Sequence, residues 1–378
     1  MLNAVLVYEP NVTGHYPFFL ELICTACLES GYRVIVATPQ DSPSQLSRAV
    51  THVPIAQGNE SFRVAVGLAK KFQCQMLFLC SMDTLLYTDE ARDAIKKNEL
   101  GNLALYGFWI KPYAVIQRTL MSVLSKGYRR ASRVLGNLND LSMRGNLKRV
   151  FVLDEDLVQN PPTLFSFPFE YVPDPWRPFI ERTRQAAREK LGLPLDKVIV
   201  CHVGDDTRRK GLLDVLTAFD QIAASSVLLV RGGRLNRRTL KKRKLLERLQ
   251  QRGAFICFNR WLTEDEFDLI MQAADYVLIP YHSHVGSSGI LSRAIGHRRP
   301  VIASDYGLIG RRVKKYNLGY LYTDCKQRAL KELLFSLDKP TELNSLFDRA
   351  KEDYSPDQTV SCLVKALRAY HPIKVRNA

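Results

Sequence analysis

Acidic residues are scarce in this chain. Across 378 residues, 38 Asp and Glu stand against 54 Lys and Arg, a formal net charge of +16. That balance favours phosphate-bearing partners, whether nucleotides, nucleic acid or anionic lipid, and says nothing about fold. No window reaches eighteen unbroken apolar residues, so no transmembrane helix is expected. The opening MLNAVLVYEP enters a strand-like run with no basic segment before it, so no secretory signal is expected. The eight cysteines are scattered, most of them in apolar runs such as MLFLC and VIVCHV. Cys24 and Cys27 form a C-x-x-C, but inside a predicted helix and without zinc partners nearby; buried thiols in a reducing cytoplasm are expected. No Gly-x-Gly-x-x-Gly follows the first strand, so dinucleotide binding is poorly supported. There is no metal-ligand cluster in any predicted loop, no internal repeat and no low-complexity tract.

What is present is a two-part rhythm, on a chain too long for one simple core. The runs NAVLVY (3–8), RVIVAT (33–38), HVPIA (52–56), MLFLCS (76–81), NLALYGFW (102–109) and RVFVLDE (149–155) read as strands. They are continuously apolar, as strands buried on both faces of a parallel sheet should be. Helical stretches near 16–30, 60–73, 85–98 and 113–135 separate them. The alternation restarts after residue 196 with KVIVCHVG, SSVLLVRG, AFICFNRW, YVLIPY and PVIASD, around helices at 211–224, 238–252, 263–273 and 287–297. Thr263 and Glu266 form a capping box that marks one helix start. Between the halves, NPPTLFSFPFEYVPDPWRP carries five prolines before Trp176 and reads as an inter-domain connection. The expected architecture is α/β, two tandem Rossmann-like domains facing across a cleft. The N-terminal domain is assigned to 1–172, completed by a helix over 356–372, and the C-terminal domain to 190–355.

Two strand-to-helix turns of the C-terminal half suit an anion. In GDDTRRKG (204–211), Gly204 allows close approach to the backbone, the helix start offers free N–H groups, and Arg208, Arg209 and Lys210 add charge suited to a diphosphate. A solvated basic turn is the alternative. In HSHVGSSG, the residues Gly286, Ser287, Ser288 and Gly289 form a small-residue loop with hydroxyl and N–H donors, unless it is only a turn that changes direction. In the N-terminal half, Gly14 and His15 follow the first strand in EPNVTGHY, where a doubly wound domain receives ligands. A lone histidine is more often structural than catalytic. Asp83, in CSMDTLL, is the nearest other polar candidate, with a catalytic and a turn-capping role equally open.

The whole chain resembles a GT-B glycosyltransferase and is most similar to the large family four of retaining, sugar-nucleotide-dependent enzymes. The motifs that carry this are VGDDTRRKGLLDVLTAF, FNRWLTEDEFDLIMQAADYVLIPY and RRPVIASDYGLIG, over roughly residues 195 to 325. The N-terminal half matches only in strand order and in the loop around Gly14. The resemblance implies that Lys210 and Arg209 hold the donor diphosphate. It implies further that the loop 284–289, including His284, supplies donors to phosphate and sugar, and that Asn259 and Arg260 line the base pocket. It implies no metal and no cofactor beyond a nucleotide-diphosphate sugar as co-substrate, because cations and helix N-termini stabilise the leaving group.

Two departures from the family follow. Its signature is a glutamate, seven residues and a second glutamate, yet no acidic residue lies between Tyr281 and Asp305. Counting forward from Pro280 puts the first glutamate at His284, counting back from Pro300 at Val285, and the second falls at Arg293. The loop has therefore gained a residue and lost both carboxylates. Losing hydrogen bonds to a charged group costs roughly 1.5–3 kcal/mol, a weakened donor grip rather than an abolished one. Arg293 suggests a more anionic neighbour than a ribose diol, or a ribose held differently. Secondly, where the family often has a cleft histidine, YGFWIKP offers Phe108 and Trp109 as a stacking or acceptor surface.

The segment 111–149 holds nine Lys or Arg and one acidic residue, Asp140. Its helix either lies on an anionic membrane surface or packs its apolar face on the sheet. A second basic run, with eight cations between Arg231 and Lys244, reads as a solvated helix surface. Nucleic-acid binding, which wants interleaved aromatics or a recognised module, is not expected. The expectation is a cytoplasmic glycosyltransferase, peripheral on the inner face of a membrane if the helix reading holds, moving a sugar to a saccharide, lipid-linked or small-molecule acceptor. The alternative is a non-catalytic GT-B paralogue or polyanion-binding protein.

Overall fold

The computed structural model describes residues 3–11, 16–39, 49–56, 58–112, 126–163, 165–221, 226–323, 327–340 and 345–370. The chain divides into two units, one formed by Met1–Pro173 with Pro356–Ala378 and the other by Asp174–Ser355.

Among the described residues of the first unit, seven strands form a sheet in the order β3-β2-β1-β4-β5-β6-β7. They are β1 (Ala4–Tyr8), β2 (Arg33–Pro39), β3 (Thr51–Ile55), β4 (Met76–Leu79), β5 (Ala104–Phe108), β6 (Leu147–Val152) and β7 (Phe169–Tyr171). Every pairing is parallel. The five residues of β1 and the four of β4 are all buried, which is why these strands read as unbroken apolar runs. One core face gathers Leu6, Leu77, Leu105 and Val150 under the helices Phe62–Lys71 and Lys126–Met143. The other gathers Val5, Phe78, Tyr106 and Phe151 under the helix Tyr16–Glu29. The C-terminal helix, Pro356–Tyr370, packs on that same face and places Leu363 and Leu367 in its core.

The second unit holds six strands in the order β10-β9-β8-β11-β12-β13 among its described residues. They are β8 (Val198–Val203), β9 (Val227–Gly232), β10 (Phe255–Phe258), β11 (Tyr276–Ile279), β12 (Val301–Ser304) and β13 (Gly319–Tyr322), again all parallel. In each sheet the order reverses beside the first strand, between β1 and β4 and between β8 and β11. Those are the switch points at which open α/β sheets receive ligands, outside the carboxyl ends of the strands.

Several expectations need correction. Strand β7 lies inside the proline-rich segment, because its three residues continue the sheet beside β6 before the prolines resume. Strand β13 was not anticipated; GYLY is short and its exposed edge carries no continuous apolar run. Phe108 and Trp109 present no surface, since both side chains are fully buried. Phe108 stacks among Phe19, Phe78 and Phe151, and Trp109 meets Phe165 edge-on at 5.6 Å. Arg231, counted within a solvated basic run, is fully buried at the end of β9.

The basic segment is described only from residue 126. There Val134, Leu138 and Leu141 are buried in the core while Arg129 and Arg130 are exposed, so this part packs on the sheet as an amphipathic helix. Residues 113–125 lie outside the described residues. No described helix is long and apolar enough to cross a membrane.

Candidate functional site

At the carboxyl edge of the second sheet, two turns meet. The first leaves β8 at Gly204, whose φ of +107° only glycine adopts readily. A Cβ there would lie 2.7 Å from Lys210 Nζ, so the absent side chain is what lets the lysine fold back over the strand exit. Residues Arg208–Lys210 form one 3-10 turn, and Gly211, at φ +66°, opens the helix Leu212–Asp220. Gly211 also abuts the Pro280 carbonyl, where a Cβ would collide with backbone. This packing locks the first turn to the second, which leaves β11 at Pro280.

The cations divide into two kinds. Lys210 is 8% exposed and ion-paired with Asp205. Arg208 and Arg209 are exposed, and the Arg209 guanidinium sits over the Tyr281 ring, 4.9 Å from its centroid. Tyr281 is buried, and its carbonyl accepts from Ser304 Oγ at 2.7 Å. The Arg209 carbonyl accepts from the His282 amide at 2.8 Å. His282 in turn contacts Asp214 at 2.6 Å, which joins the second turn to the helix that follows the first.

Beneath the turns lies a buried polar layer. Arg231 donates to the carbonyls of His202 (3.2 Å) and Gly204 (2.6 Å), holding the strand exit from below. His202 Nε2 lies 3.0 Å from the Lys210 carbonyl. Burial pushes the His202 imidazole down to about 3, with the Arg231 charge acting the same way, so the ring is neutral and Nε2–H donates. Asp206, also buried, accepts from the Asn236 amide at 2.9 Å and ties the loop after β9 to the site.

The loop 282–289 is built by its own polar contacts. His284 approaches the Ser287 carbonyl at 2.9 Å and meets Tyr281 edge-on. Ser288 caps the helix Gly289–Gly296 by accepting from the Leu291 amide. Gly286 is buried, whereas open space surrounds the position a Cβ would take on Gly289. Ser287 donates to Asp174 at 2.5 Å and accepts from Arg312 at 2.8 Å. Asp174 and Arg312 were missed by sequence reasoning, because nothing in either neighbourhood points to a serine so far along the chain.

Other expected site residues are engaged elsewhere. Asn259 accepts from the Leu235 amide at 2.8 Å and orders the loop after β9. Arg260 pairs with Glu266, whose carboxylate this contact and the Thr263 amide hold down to about 2. Arg293 reaches Glu264 and Asp268 on the neighbouring helix and lies over Phe267. Among described residues it meets protein carboxylates rather than open space.

In the first unit, Gly14 and His15 lie outside the described residues. Asp83 accepts from the amides of Ile110 (2.7 Å) and Lys111 (3.3 Å), which caps the exit of β5. Burial raises its carboxyl above the ordinary value despite these bonds. The polar group that sequence reasoning passed over is Glu9, directly after β1 at the switch point. It is fully buried, accepts from the Asn11 amide at 2.7 Å through Oε1, and among the described residues leaves Oε2 without a hydrogen bond. Burial raises its carboxyl to about 8.

Residues 183–352 match the family of glycosyl transferases group 1. The match spans most of the second unit. The fold of the whole chain is GT-B, as in solved glycosyltransferases of low sequence identity. A glycosyltransferase from Rickettsia africae aligns over 100% of both chains at 12% identity, with a TM-score of 0.69. HepE from Anabaena, solved with UDP and glucose, aligns over 97% of this chain and 100% of its own at 12% identity and a TM-score of 0.69. WaaG, a glycosyltransferase involved in lipopolysaccharide biosynthesis, aligns over 97% and 99% at 16% identity and a TM-score of 0.63. A comparison with curated protein sequences finds no match. The matched segment contains both turns of the site and the residues Lys210, Ser287 and Arg293.

Proposed function

We propose that this GT-B protein transfers a hexosyl group from a nucleoside-diphosphate sugar to a saccharide or lipid-linked acceptor, with retention of configuration and without a metal. The observation that carries this reading is the locking of the turn 204–211 against the turn 280–289, which gathers three cations and a small-residue helix start at the switch point of the second sheet. Lys210 and the exposed Arg208 and Arg209 neutralise the diphosphate as it departs. The helix start at Ser288 and Gly289 offers backbone N–H groups to a phosphate or to sugar hydroxyls. The bond between the anomeric carbon and the diphosphate oxygen breaks as the acceptor oxygen bonds to the same face. The acceptor proton passes to the leaving diphosphate, so no protein base is consumed. Because HepE was solved with UDP-glucose, a uridine diphosphate sugar is the first donor to test.

A rival reading, a GT-B protein that binds polyanions without transfer, draws support from Arg293, whose place in the family signature belongs to a glutamate. Thermal unfolding with nucleotides and nucleotide sugars, followed by product analysis, separates the two. A donor at a hundred times its dissociation constant adds about 2.7 kcal/mol. One selective nucleotide sugar together with sugar transfer or donor hydrolysis supports the enzyme. Equal stabilisation by all polyanions, with no turnover, supports the rival.

A further inference from the structure

One cavity of the second unit lies away from the site just described. It holds about 570 Å³, within the range of small-molecule sites, and it opens at the opposite edge of the same sheet. Its wall is built from the turn Gly296–Pro300 that precedes β12, from Gln272 shortly before β11, and from residues 179–184 of the inter-unit connection. Since the strands are parallel, this is their amino edge, a strand length of very roughly 15 Å from the carboxyl-edge turns.

Among the described residues five cations line it, Arg182, Arg184, Arg298, Arg299 and Lys351, against one carboxylate, Glu181. Four of them have acidic partners. Arg182 pairs with Asp265 at 2.6 Å, Arg184 with Asp275 at 3.1 Å, Arg298 with Asp348, and Lys351 with Glu181 at 3.8 Å. Arg299 has none. It donates to the Gln272 carbonyl at 2.8 Å, and its buried Nε lacks a hydrogen-bond partner. Burial and the neighbouring Arg184 charge lower its guanidinium to about 10, and the Asp275 carboxylate, which pairs directly with Arg184 and Arg188, only partly opposes this. Gln272 is buried in the wall at 2% exposure, and Phe179, packed on His297, gives the wall an apolar face.

We propose that this pocket binds a soluble phosphate monoester of a polyhydroxylated small molecule, such as a hexose phosphate, at a site separate from the donor. The phosphate supplies the direct ion pair that Arg299 lacks among the described residues, with Lys351 and Arg298 as exchangeable partners. Phe179 packs on the C–H face of the ring.

The test is calorimetric titration of the full chain with glucose 6-phosphate at fixed ionic strength, alongside sedimentation with phosphatidylglycerol vesicles. The wild type should bind saturably. Arg299→Gln should weaken binding about tenfold, the worth of a charge-assisted hydrogen bond, and Lys351→Ala should weaken it several-fold. The double variant Arg208→Ala/Arg209→Ala should bind as the wild type does. Should Arg299→Gln fail to fold, Lys351→Ala and Arg298→Ala carry the test. Absence of saturable binding overturns the proposal. So does binding that survives the pocket variants and disappears in the double variant, which would put the ligand in the donor site. Vesicle binding lost in Arg299→Gln, without binding of the soluble phosphate, overturns it in favour of a lipid headgroup.

Discussion

Ser287 donates its hydroxyl hydrogen to Asp174 at 2.5 Å, across 113 residues of chain. The loop that lacks an acidic residue of its own thus rests on a buried carboxylate supplied by the inter-unit connection. Asp174→Ala leaves that hydroxyl short of its acceptor. We expect a loss of about 1–3 kcal/mol in denaturant unfolding, with donor affinity falling as the loop loosens. Asp174→Asn keeps an acceptor oxygen and should cost less.

Lys210 is held by Asp205 at the turn to which the proposed function assigns the diphosphate. Lys210→Ala should reduce turnover by at least about a hundredfold, as the loss of a group aimed at developing charge does elsewhere. Circular dichroism should report an intact fold. Asp205→Asn releases the lysine and should tighten inorganic pyrophosphate binding several-fold in calorimetry.

His202 sets an acid limit on the second unit. Its pKa falls from 6.5 to about 3 on folding, so the unfolded chain binds the proton more strongly. Its contribution is complete above pH 6.5 and is lost progressively as pH falls towards 3, on the order of a few kcal/mol. His202→Gln should flatten the stability profile across that window, measured by urea unfolding at successive pH values.

Glu9 acts in the opposite sense on the first unit. Its pKa rises from 4.5 to about 8 on folding, so the folded state binds the proton more strongly. Stability from this group is full below pH 4.5 and is lost as pH rises through 8. Glu9→Gln retains the oxygen that Asn11 addresses and should remove the loss on the alkaline side in the same urea titration.

Arg293 occupies the place of the second signature glutamate, yet restoring that glutamate should not restore a donor contact. Arg293→Glu would set a third carboxylate against Glu264 and Asp268. We expect destabilisation of roughly 3 kcal/mol and no gain in donor affinity, checked by denaturation and nucleotide titration.

The sheets were legible because β1, β4, β8 and β11 are buried on both faces and so appear as unbroken apolar runs. The turn 204–211 was legible for a similar reason, as its glycine and its cations are adjacent in sequence. What escaped was long-range. Asp174 meets Ser287 only through the fold, and Arg231 reads as one member of a basic run until β9 carries it inward. Phe108 and Trp109 look like a contact surface as a dipeptide, but both sides of a buried strand end face core. Arg260 and Arg293 show the converse: a cation near a motif was taken by the closest carboxylate on the next helix.

The place where Thr359 Oγ1 donates to the Pro173 carbonyl at 3.3 Å has a consequence for how this protein can be divided. Residues 174–355 are one domain inserted into another, and the two ends of the insert leave the host side by side. The second unit can therefore be cut out as a single uninterrupted fragment, whereas the first cannot. A fragment ending at Pro173 lacks the helix that carries Leu363 and Leu367 into its core. Joining Pro173 to the 356–370 helix through a few flexible residues gives the host domain as one chain, and circular permutation at this junction is open for the same reason.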